Sequence, residues 1–152
     1  MVKNYIIKAL DKYASKWVVL FIDITLICIS FIITYFFRFS IYFNDHIPEM
    51  LSQIPYIIIV SFFSFLIAGS YKGVIRHTGT KDAFNVFYGV SIISFIVTLM
   101  VILHKIFNIN ELFNIPRSII LIHYLLSIFI LLISRYAFKA FFERSLIWTG
   151  SR

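Results

Sequence analysis

The residues of this chain that could carry chemistry are few and far apart. His46, His77, His104 and His123 are its four imidazoles, and none stands at the short spacing that lets two bind one metal from a shared helix face. Tyr13 with Lys16, and again Tyr136 with Lys139, are each one residue closer than the Tyr-x-x-x-Lys pair of a short-chain dehydrogenase helix. There is no Gly-x-Gly-x-x-Gly turn to bring backbone against a pyrophosphate. The single cysteine, Cys28, reads as a small packing residue and gives no disulfide framework. Asp23 is different, because it is an acid inside an apolar run, where isolation costs about 2.5 to 3.5 kcal/mol near a helix centre. It needs a partner or water. Arg135 or Lys16 could reach it as half of a buried structural pair; the alternative is a proton or substrate path, which calls for more ionisable groups than His123 alone. For His123 itself, a hydrogen bond between helices is the expected role.

The elements that must position these residues are four apolar stretches. Trp17 to Phe37 carries one charge, Asp23, while Met50 to Tyr71 and Ala83 to Leu103 carry none. Ser118 to Ser134 is shorter and bracketed by Arg117 and Arg135, which can snorkel outward and extend it. About 20 helical residues cover a hydrocarbon core, and backbone in lipid must satisfy its own hydrogen bonds. The runs of Leu, Ile and Phe lack the alternation of a barrel strand. With 61% hydrophobic residues, 18 of them Phe, and a mean hydropathy of +0.92, the chain cannot wrap a soluble core in polar surface. The expected fold is therefore all-α: an integral membrane four-helix bundle with spans near 17–37, 52–71, 82–103 and 116–138.

Sorting the 14 Lys and Arg residues gives an expected orientation. Lys3, Lys8, Lys12 and Lys16 precede the first stretch, Lys72, Arg76 and Lys81 lie between the second and third, and Arg135, Lys139, Arg144 and Arg152 follow the fourth. The other side holds only Arg38, Lys105 and Arg117. The positive-inside bias places both termini and the middle loop in the cytoplasm of a multi-pass protein, with two short loops outside. The net charge of +7 is juxtamembrane rather than gathered on one soluble face, so the expected counter-charge is anionic lipid headgroups and not nucleic acid.

Residues 1–16 show apolar positions at helical spacing with Lys8, Lys12 and Lys16 on another face, the pattern of an amphipathic helix lying on the inner leaflet. The first run exceeds a secretory h-region and no small-residue cleavage site follows it, which makes it a retained span. In the first outer loop, Phe39 to Glu49, Asn44, Asp45 and Pro48 are turn formers, with Ser52 as the expected cap of the second span and Pro55 in its first turn. The second outer loop, His104 to Arg117, is greasy enough to lie on the membrane surface. Asn114 can cap the fourth span, with Pro116 in its first turn. No extramembrane piece is long enough for a soluble domain.

The middle loop carries the most specific pattern. Gly69, Gly73 and Gly79 permit sharp turns, Tyr71 can anchor at the interface, and Lys72 and Arg76 can bind headgroup phosphates. Thr80 as N-cap with Asp82 in the first turn would start the third span. On residues alone this is also a plain basic connector.

With its flanking spans, this loop resembles the N-terminal membrane region of the membrane-bound nucleotide-sugar 4,6-dehydratase/epimerase family of bacterial polysaccharide biosynthesis. In that family the second span ends in Gly-x-Tyr and a basic residue, followed by an Arg-aromatic pair and a small-residue turn with Asp. Here those positions read Gly69, Tyr71, Lys72, Arg76, His77 and Asp82. Asp23, Arg38, the Pro116-Arg117-Ser118 start of the fourth span and Ser134-Arg135 at its exit extend the likeness over nearly the whole chain. It departs at His77, where the family often has Tyr, and at Ile75, where it often has Trp.

The resemblance implies a membrane anchor in the bacterial inner membrane for capsule or O-antigen synthesis. In the family a soluble Rossmann domain follows the fourth span, binds NAD and carries the catalytic residues; residues 145–152 would be the truncated start of that domain, with Ser145 to Gly150 a vestige of its first strand. No catalytic, cofactor-binding or metal-binding residue is therefore assigned to this chain, and NAD is implied only for a full-length parent. Expected partners are the bilayer, polysaccharide-assembly proteins or a second copy. Two other readings stay open: the membrane part of a polyprenyl-phosphate sugar-phosphate transferase, and a small stand-alone transporter.

Overall fold

Helix satisfies backbone N–H and C=O groups within one segment, so an apolar chain in an apolar solvent is driven to it. The computed structural model describes residues 16–69, 80–107 and 115–150, and all of these except Gly69, Ile115 and Pro116 are helical. Among the described residues there are four α-helices, α1 (Lys16–Phe39), α2 (Ile47–Ala68), α3 (Thr80–Phe107) and α4 (Arg117–Gly150), with a 3-10 helix at Ser40–His46. Consecutive helices pack on one another, and α4 closes the ring against α1.

Three helical stretches are long and apolar enough to cross a membrane: Trp17–Ala68, Ala83–Phe107 and Arg117–Phe138. The first is not a single rod. Tyr35 on α1 donates its hydroxyl to the Gln53 side-chain oxygen on α2, although these residues would stand about 27 Å apart along a straight helix. The chain turns back through the 3-10 segment, where Ser40 takes a positive φ of 39°.

The distribution of side chains inverts that of a soluble bundle. Phe21, Phe84, Phe95 and Phe129 lie on the outside, each at least two-thirds exposed. Asp23, Ser30, Thr34, Gln53, Ser61, Ser64, His123, Ser127 and Arg135 are buried. Water would penalise so large an apolar exterior, whereas lipid tails solvate it. This is a membrane-embedded protein.

Helix α2 starts earlier than the sequence suggests. Pro48 occupies its first turn, where a missing N–H costs nothing, and Pro55 lies in the interior. Ser52 is not a cap: its hydroxyl donates to the Pro48 carbonyl at 2.9 Å. The expected outer loop is thus largely the 3-10 segment and the first turn of α2. At the other end Gly69 adopts the left-handed conformation (φ 65°, ψ 22°) and donates its N–H to Leu66 O, a helix stop that a Cβ would strain.

Helix α3 includes Thr80 and runs on through His104 and Lys105 to Phe107, past the expected end at Leu103. Helix α4 begins at Arg117, with Pro116 just outside it accepting the Ile119 N–H at 2.9 Å. Residues 145–150 continue α4 rather than forming a strand; a strand needs a neighbour for its backbone, and none exists among the described residues. The expected interfacial helix, apart from Lys16, and the second outer loop from 108 to 114, including Asn114, lie outside the described residues.

Candidate functional site

Polar side chains inside the bundle gather along the contact between α1 and α4. On α4, Ile119, His123, Ser127, Leu131 and Arg135 recur every fourth residue and are all buried, the stripe a helix turns toward one neighbour. On α1 the facing residues are Asp23, Ile27, Ser30, Phe31 and Thr34, also buried. Asp23 meets Arg135 near one end and Ser30 meets Ser127 farther along, so the helices run antiparallel.

At one end of this seam Arg135 Nη2 donates to Asp23 Oδ2. The two side chains are 6% and 2% exposed, which removes both from solvent. At an effective dielectric of about 20, opposite charges about 4 Å apart attract by about 4 kcal/mol, comparable with the insertion cost of one isolated charge. The pair is a tether, not an exposed acid awaiting a ligand.

Deeper in the seam, His123 Nε2 lies 3.4 Å from the Ile27 carbonyl. Its ring meets the edge of Phe31 at a centroid distance of 5.4 Å. Ser30 and Ser127 share a hydrogen bond of 2.8 Å between their hydroxyls. Ser30 also donates to Ile27 O, and Thr34 to Ser30 O, each at 2.8 Å. Beyond them come the Tyr35–Gln53 bond and, in the turn, a Phe39–His46 stack at 3.7 Å with His46 Nδ1 3.0 Å from Glu49 Oε2.

A second feature is an open groove of about 320 Å³ lined by Ser91, Ser94, Phe95, Thr98 and Tyr124. Ser91 bonds Phe87 O at 2.8 Å and the Tyr124 hydroxyl at 3.2 Å, while Thr98 donates to Ser94 O at 2.7 Å. Among the described residues no carboxylate, imidazole or cation lines it. Among the described residues no group of three His, Cys, Asp or Glu side chains could hold a metal.

Of the residues singled out by sequence, the structure brings together Asp23, Arg135 and His123 in this seam. Arg38 is exposed in the last turn of α1, Gly69 stops α2, and Arg117 and Ser118 open α4 behind Pro116. Ser134 sits half-buried one residue before Arg135. Asp82 lies within the described part of α3, two residues after Thr80. Tyr71, Lys72, Arg76 and His77 fall outside the described residues. Sequence reasoning passed over Ser30, Thr34, Tyr35, Gln53 and Ser127. The four-residue spacing of His123, Ser127 and Arg135 was the available signal for the seam.

Comparison with protein-family models, with curated proteins and with solved structures gives no match.

Proposed function

We propose that this chain is the membrane-anchoring module of a nucleotide-sugar dehydratase or epimerase of bacterial capsule or O-antigen synthesis. It crosses the inner membrane four times, counting α1 and α2 as separate crossings, and keeps both termini and the segment between α2 and α3 in the cytoplasm. The observation that carries this reading is the length of α4. Its 34 residues measure about 51 Å, against a hydrocarbon core of about 30 Å. The apolar stretch ends at Phe138, and the helix continues to Gly150 as a stiff arm suited to holding a domain at the inner leaflet. The ion pair and hydrogen bonds along the α1–α4 contact fit the same role, since an anchor needs its buried charges matched within the protein.

Two measurements test this. The DNA after codon 152, read in all frames, should encode a strand followed by Gly-x-Gly-x-x-Gly; a transferase-type catalytic domain, or a frame that closes at once, would overturn the reading. Single cysteines in a Cys28→Ser background should be labelled from outside intact cells at Asn44 and Asn110 but not at Thr78. The opposite pattern would overturn the orientation.

A further inference from the structure

The 3-10 turn between α1 and α2 has an outward side that the bundle does not cover. Its inward rings are fixed: Phe43 meets the edge of Phe36 at 5.8 Å, and His46 stacks on Phe39. From that platform Ile41 and Tyr42 project outward, 88% and 67% exposed, and Ile41 is the most exposed large apolar side chain among the described residues. The chain bends at Tyr42 (φ −96°, ψ 17°), and the exposed residues that follow, Asn44 and Asp45, are polar. Apolar and polar exposure are thus divided within one short segment.

An isolated exposed apolar residue is ordinary. Ile41 is not isolated. Ile29, Ile32, Phe36 and Phe37 form the exposed apolar side of α1 that leads into it, and Leu51 is exposed at the start of α2. This is the same exterior that lipid tails solvate along the helices, and its continuity into the turn identifies what covers Ile41 and Tyr42.

We infer that the α1–α2 turn is a lipid-binding surface: Ile41 and Tyr42 lie in the interface of the leaflet that the turn meets, Asn44 and Asp45 face water, and the boundary between them fixes how deep this end of the bundle sits. Tyrosine suits that depth, with its ring against acyl ends and its hydroxyl among headgroups. The nearby charge fits as well. Arg38 is exposed in the last turn of α1, and its long stem can carry the guanidinium out to a headgroup phosphate, while the Glu49 carboxylate pairs with His46. The ring contacts beneath the turn hold it in place already, so lipid closing over it costs little ordering. The inference rests on α1 and α2 crossing the bilayer separately, as proposed above, and not on the anchor role.

The test uses full-length chains in a Cys28→Ser background, in vesicles of phosphatidylcholine and phosphatidylglycerol, each with one nitroxide-labelled cysteine at Ile32, Phe37, Ile41, Tyr42 or Asn44. Oxygen concentrates in the bilayer and a nickel chelate stays in water, so the ratio of their collision rates with the label reads depth. All five side chains are exposed, and the label is itself apolar. The oxygen-to-nickel ratio at 41 and 42 should exceed that at 44 severalfold and approach that at 32. Ile41→Asn/Tyr42→Asn should lower the ratio at 37 severalfold as the turn rises toward water. Equal ratios at 41, 42 and 44 would overturn the inference, as would an unchanged ratio at 37 in the double variant. A label at 41 that meets neither reagent would also overturn it, because protein rather than lipid would then cover the turn. If position 32 collides with nickel as freely as position 44, α1 does not cross at all, and the four-crossing reading falls together with the inference.

Discussion

Gly89 on α3 stands so close to Phe65 on α2 that a Cβ added to it would lie 2.9 Å from the Phe65 ring and 3.3 Å from the Ala68 Cβ. Both Gly89 and Phe65 are buried. The absent side chain is thus what lets α2 and α3 approach here, as small residues do generally between helices in lipid.

Gly89→Ala should therefore destabilise the protein by about 1 to 3 kcal/mol, the range for overpacking, because the enclosed Phe65 ring has nowhere to retreat. Combining it with Phe65→Leu should recover part of the loss. Thermal unfolding in detergent, followed by exposure of the single thiol at Cys28, measures both; a Gly89→Ala chain as stable as the parent would show that the α2–α3 contact is loose.

The Tyr35–Gln53 bond ties α1 to α2 beside the turn. Tyr35→Phe removes the donor of this bond, with an expected loss of about 0.6 to 1.7 kcal/mol on the scale of measured membrane hydrogen bonds. Tyr35→Phe/Gln53→Leu should lose less than the sum of Tyr35→Phe and Gln53→Leu, since both single changes remove the same shared bond. The same unfolding assay decides the order.

Much of the helical architecture could be read directly from residue types, because lipid leaves a continuous apolar run few alternatives. The ends could not. Ser52 has a capping side chain, yet it bonds back to Pro48, since the 3-10 segment delivers the chain into α2 five residues earlier. Residues 145–150 resemble a strand only by likeness to a family, and local continuity with α4 prevails. In the seam, Asp23 stands out as a charge in an apolar run, and Arg135 is within its plausible reach. Tyr35 and Gln53 do not, because an aromatic and an amide near a helix end also suit a membrane interface. Their pairing depends on how two helices fold back on each other, which local periodicity does not contain.

Gly69 offers a backbone test. At φ 65° an alanine would pay the left-handed penalty of roughly 1 to 2 kcal/mol, whereas asparagine tolerates that region better. Gly69→Ala should lower the unfolding temperature more than Gly69→Asn. Equal effects would mean that the glycine serves by its size rather than its conformation.

The two halves of the buried ion pair should not be equivalent when removed singly. Losing one partner from a buried pair in a soluble protein costs about 3 to 5 kcal/mol, because the other charge is left uncompensated. Arg135 stands near the end of the apolar stretch of α4, and its long side chain can snorkel to the interface once Asp23 is gone. Asp23 has no such route. It lies six residues inside the apolar stretch that begins at Trp17, on a side chain too short to reach headgroups, so it cannot replace the Arg135 contact by snorkelling. Arg135→Leu should thus reduce membrane abundance and thermal stability more than Asp23→Leu, with Asp23→Asn milder still because the amide keeps a hydrogen-bond acceptor for Arg135. Quantitative blotting of washed membranes together with thiol-exposure melting gives the order. If Asp23→Leu is as damaging as Arg135→Leu, the guanidinium is trapped within the bundle and the snorkelling argument fails.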